Sequence, residues 1–139
     1  MQKVYYYWLI CVGVGHAILG CVFVLLAFTP LMAPYMGALY EAFQVEPAAG
    51  VDLMLRTTLQ FLGPTIASWG LLFALAVHFY RHHGYPLIKW YILIAVFIWF
   101  TMDTALSLSQ GIYVHLIANL VALCAILPPL LLLRPNSVQ

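Results

Sequence analysis

The chain has 139 residues, of which 65% are hydrophobic and 6% charged, with five Lys+Arg and four Asp+Glu. A water-soluble domain carries roughly a quarter of its residues as charges, so nine charges exclude one. The same composition excludes disorder, which needs low hydrophobicity and high net charge, and five scattered cations make no basic patch for nucleic acid. What remains is a polytopic membrane protein of a single domain, residues 1–139.

About 20 apolar residues cross a hydrocarbon core of about 30 Å. No charge lies between Lys3 and Glu41, and the first span is expected over Val4–Phe28. Tyr5, Tyr6, Tyr7 and Trp8 open it as interfacial anchors. Gly13, Ala17 and Gly20 form a small-residue stripe that lets backbones approach closely. Ile18-Leu19-Gly20-Cys21 loosely resembles a lipobox, but the apolar run continues to Phe28, so the expectation is a retained span. An outer loop follows over 29–56, punctuated by Pro30, Pro34, Pro47 and Gly50. Within it Tyr35, Met36, Leu39, Tyr40 and Phe43 recur at helical spacing, with Glu41 and Gln44 opposite. That pattern predicts a short amphipathic helix in the outer interface, packed over the bundle or serving as a lid.

The second span is expected over Thr57–Tyr80, the third over Leu87–Ser109 and the fourth over Ile112–Leu133. The runs are continuously apolar, which indicates helices and not a barrel. Gly63, Ala67, Gly70 and Ala74 give the second span its own small-residue stripe, suited to packing inside the bundle or between chains. Pro64 removes a backbone donor, frees the carbonyl of Gln60 and is expected to kink the helix; Pro128 and Pro129 act likewise in the fourth span. The turns at 81–86 and around Gln110-Gly111 are short, so successive helices should be antiparallel neighbours. The fold class is thus an all-α, four-helix transmembrane bundle with a short interfacial helix in its outer loop.

Lys3, Arg81, Lys89 and Arg134 fall on one side of this arrangement and Arg56 alone on the other. The positive-inside rule then puts both termini in the cytoplasm, with a bacterial inner membrane as the expected setting. Glu41, Glu46, Asp52 and Asp103 lie on or toward the outer side.

Ionisable groups within a span are costly and mark a functional hypothesis. By rise per residue, Asp103 lies roughly 7 Å outward of the midplane, Asn119 roughly 5 Å and His115 roughly 11 Å. His115 and Asn119 share a face at i, i+4. Gln60 lies at similar depth, with Arg56 above it, and His16 is at the middle of the first span. Asp103, His115, Asn119, Gln60, His16 and Arg56 are therefore the candidate ligand or proton site. A carboxylate at that depth must find a partner or stay protonated, and His115, Asn119 and Gln60 are the expected partners. The same groups could serve only as interhelical hydrogen bonds.

His78-Phe79-Tyr80-Arg81-His82-His83 resembles one histidine box of membrane di-iron desaturases and hydroxylases, but that chemistry needs several boxes and the chain has five histidines in all. Haem needs two histidines at one depth, and His16 and His115 differ by roughly 11 Å. Cys11, Cys21 and Cys124 form no C-x-x-C pair and read as small apolar fillers. No cofactor and no metal is expected, and catalytic residues are not identifiable. The implied function is a non-catalytic accessory or assembly subunit, or a ligand-binding module. Its partners would be the bilayer, other transmembrane chains (copies of itself or a larger complex), and a small molecule or lipid. The rivals are a small oligomeric proton-coupled transporter or flippase using Asp103, and a membrane enzyme with an Asp103/His115 acid–base pair.

Overall fold

A computed structural model describes residues 1–136, and all regular structure among them is helical. The helices are α1 (Gln2–Leu26), α2 (Ala33–Phe43), α3 (Ala49–His83), α4 (Pro86–Ser109) and α5 (Tyr113–Leu132), with a 3-10 turn at Pro30–Met32. Four of them, all but α2, are long and apolar enough to cross a membrane. Helix α1 packs on α3 and α5, and α4 packs on the same two, so the long helices stand in the cyclic order α1–α3–α4–α5.

Three spans begin and end within two residues of their expected positions. The second does not: α3 starts at Ala49, eight residues before Thr57. Pro47 and Ala48 set the extended entry, Ala48 having φ −72° and ψ 148°, and Asp52 falls in the first turn, where a carboxylate complements the helix dipole. The outer loop is correspondingly shorter than 29–56. The extra turns carry Asp52 and Arg56 to where α2 lies. Helix α3 also continues unbroken through Pro64.

The small-residue stripes face each other. A Cβ built on Gly13 would stand 2.8 Å from the Gly70 carbonyl oxygen and 2.9 Å from Ala74 Cβ. One built on Gly63 would meet the Gly20 carbonyl oxygen at 2.5 Å and Val24 Cγ2 at 2.7 Å. Gly13 and Gly20 of α1 thus interlock with Gly70 and Gly63 of α3, and all four glycines are buried. Of the two uses expected for these stripes, packing inside the bundle is the one seen, each stripe meeting the other.

Leu9, Phe73, Val77, Ile92, Val96, Ile126 and Leu130 fill the core of the main bundle. Large apolar residues also cover the outside: Phe61 is 78% exposed and Phe97 69%. A surface this apolar is suited to acyl chains and not to water. Cys11, Cys21 and Cys124 are on this surface too, so they are not interior fillers.

Helix ends explain most of the polar side chains. The last carbonyls of a helix lack intrahelical donors. At the end of α5, Lys89 Nζ donates to the carbonyls of Leu131 (2.8 Å) and Leu133 (3.1 Å), and Gln2 Nε2 to that of Leu132 (3.0 Å). Trp8 Nε1 donates at 2.7 Å to the carbonyl of Ala125, which Pro129, four residues on, cannot serve. These contacts gather Lys3, Arg81, Lys89 and Arg134 at one end of the bundle, here the basic end. Glu41, Glu46 and Asp52 belong to the opposite, acidic end.

Candidate functional site

The acidic end is closed by α2. Met36 and Leu39 point inward from it and pack with Ala27, Met32, Leu59 and Ile112. These come from the end of α1, the turn before α2, α3 and the α4–α5 connection. Helix α2 ends at Phe43 because Gln44 adopts the left-handed conformation, φ 53°. A second fastening is polar. Arg56 Nε donates to both carboxylate oxygens of Asp52 (2.8 and 2.9 Å), and the Tyr40 hydroxyl donates to Asp52 as well. Asp52 thereby links α2 to α3.

Two of the six candidate residues act on the end of α1. Arg56 Nη1 donates to the Ala27 carbonyl at 2.6 Å, and Gln60 Nε2 to the Val24 carbonyl at 2.9 Å. Both carbonyls belong to the last turn of α1 or just beyond it, where donors from a neighbouring helix replace the missing backbone amides. Neither residue approaches Asp103 by a hydrogen bond. His16 is also engaged elsewhere: its Nδ1 is 2.8 Å from the Val12 carbonyl one turn back, and its ring lies 4.9 Å from that of Trp69.

Of the other three, His115 is met by Tyr35, which the sequence marks only as part of an amphipathic pattern. The Tyr35 hydroxyl on α2 is 2.6 Å from Nε2 of His115 on α5, and the rings are stacked at 5.8 Å with a 14° interplanar angle. Phe23 of α1 also stacks on Tyr35, with ring centroids 6.1 Å apart. Burial, and then the Asp103 carboxylate, push the Tyr35 phenol up to about 12. At neutral pH Tyr35 therefore keeps its proton. When His115 is neutral with its proton on Nδ1, Tyr35 donates to Nε2; when His115 is cationic, the bond reverses and the imidazolium donates. Asn119 is buried and its amide reaches Thr104 Oγ1, next to Asp103 on α4, at 3.5 Å.

Asp103 itself is half-buried and makes no side-chain hydrogen bond or ion pair among the described residues. The expected direct partners His115, Asn119 and Gln60 have all taken others. The outcome is a carboxylate without a bonded partner among the described residues, whose charge acts on the phenol of a phenol–imidazole pair. Such a set can hold a proton, or accept a hydrogen bond from a ligand's cationic or hydroxyl group. Among the described residues no three His, Cys, Asp or Glu side chains gather as a metal site. No family model matches the chain, and neither curated proteins nor solved structures give a match.

Proposed function

We propose that the chain is a non-catalytic, multi-pass membrane module that binds a small ligand where Tyr35, His115 and Asp103 meet. The observation that carries this is Asp103, half-buried and without a bonded partner among the described residues. Desolvating a carboxylate is costly unless a cation, a donor or a proton meets it. An amine or a hydroxyl-bearing head group would supply that partner, and the stacked faces of Phe23, Tyr35 and His115 would flank its carbon skeleton. Helix α2 is the amphipathic interfacial element of this reading and acts as the lid. The four-to-one charge bias sets both termini in the cytoplasm, so the site opens toward the exoplasmic side of a bacterial inner membrane.

A transporter role lacks comparable support. A route through the bundle would need polar groups toward the basic end, and His16, the deepest candidate, is already held by Val12 and Trp69. An accessory subunit would need a docking face other than the glycine stripes, which are consumed within the chain.

Native mass spectrometry of protein extracted in lipid nanodiscs tests the proposal. A small-molecule adduct is expected on the wild-type chain and its loss on Asp103→Asn and Tyr35→Phe, each with unchanged circular dichroism. A second protein chain at fixed stoichiometry, with no small molecule, would replace ligand binding by the accessory role.

A further inference from the structure

A second built feature is at the basic end, independent of the site just described. A cleft of about 460 Å³ opens there, lined by Lys89, Trp90, Leu93, Tyr80 and Pro135 among others. The Lys89 ammonium gives two of its three N–H donors to the Leu131 and Leu133 carbonyls. Its nitrogen is 5.6 Å from the centroid of the Tyr80 ring, a further cation-stabilising contact. Arg81 donates through Nη1 to the Arg134 carbonyl at 2.6 Å, whereas the Arg134 side chain makes no hydrogen bond among the described residues.

Lys89 and Arg81 have neutral carbonyl acceptors, and among the described residues no carboxylate lies at this end. Glu41, Glu46 and Asp52 are at the far end, and Asp103 lies beyond the middle of α4. Lys89 lines the cleft, and Arg81 and Arg134 adjoin its lining residues Tyr80 and Pro135 in the chain, so these three cations raise a positive potential around it. Its walls are otherwise apolar and aromatic, and Trp90 is 63% exposed on the face that large apolar side chains cover. Cationic groups above apolar walls, at the depth of an aromatic belt, match an amphiphile with an anionic head. We propose that this cleft seats an anionic phospholipid. The remaining Lys89 N–H donates to a phosphate oxygen, Arg81 and Arg134 supply the field, and the first acyl carbons run against Trp90 and Leu93.

Tryptophan quenching by brominated lipids tests this on the full chain in dodecyl maltoside. Brominated phosphatidylglycerol should quench in excess of brominated phosphatidylcholine at equal mole fraction, and Trp90→Phe should remove the excess. Arg134→Gln leaves every observed hydrogen bond in place and should weaken the apparent affinity about fivefold. Lys89→Gln should weaken it at least as much, and Lys89→Arg should restore it. Equal quenching by the two lipids would overturn the proposal. So would an excess that survives Trp90→Phe, an affinity unmoved by Arg134→Gln, or full displacement of the lipid by millimolar inorganic phosphate, which would assign the cleft to a soluble anion.

Discussion

Gly20→Ala is the sharpest probe of how the bundle is held. A methyl group at residue 20 would meet the Gly63 carbonyl oxygen, with Ala67 N at 2.5 Å and Ala67 Cβ at 2.8 Å. Two of these three atoms are backbone, so no rotamer change relieves the clash and α1 must move away from α3. Overpacking of this kind costs about 1–3 kcal/mol, against roughly 1 kcal/mol gained by replacing a helical glycine with alanine. The net expectation is a loss of up to about 2 kcal/mol. Gly15 is the control on the same helix: nothing lies within 4 Å of its Cβ position. Gly15→Ala should be neutral or stabilising by up to about 1 kcal/mol. Reversible unfolding in mixed micelles with increasing sodium dodecyl sulfate, followed by circular dichroism, measures both. Gly20 and Gly63 oppose each other, so Gly20→Ala/Gly63→Ala should cost less than the two single changes added. Equal stability of Gly20→Ala and Gly15→Ala would refute the interlocked-stripe account.

Trp8→Phe should destabilise the chain by about 1 kcal/mol by stripping the Ala125 carbonyl of its donor. Pro129→Ala supplies a backbone amide for that carbonyl, so the Trp8→Phe penalty should shrink in the Pro129→Ala background; an unchanged penalty would mean the indole contributes through packing alone. Alkaline titration addresses Tyr35. Its phenol, ordinarily near 10, is held at about 12 in the fold. The folded chain therefore binds that proton more tightly than the unfolded one, and this contribution to stability falls as pH rises from about 10 to about 12. Tyr35→Phe should flatten that decline, and phenolate absorbance should lose a late-titrating component. A decline identical to that of the wild type would detach it from Tyr35.

Several polar residues owe their positions to helix ends that hydropathy does not register. Gln60 shares the depth of Asp103 in a linear count and Arg56 lies above it, which groups them as one site, yet both serve the end of α1. Asp103 and His115 stand out in the sequence as ionisable residues within long apolar runs. Tyr35 was visible only as one member of an apolar stripe, because nothing local marks it for His115, which lies 80 positions later. Pro129 announced a freed carbonyl, but the donor, Trp8, is 117 residues from Ala125 and looked like an interfacial anchor.

Hydrophobic length and charge spacing are local properties of the chain, and they suffice to set four long apolar helices, three sets of boundaries and the gathering of basic residues at one end. Which stripe faced which, which side chain completed which helix terminus, and which acid was left over depended on the cyclic order and rotation of the helices. For α1 and α3 these are fixed by close backbone contact between glycines far apart in the chain, which no stretch of sequence expresses alone.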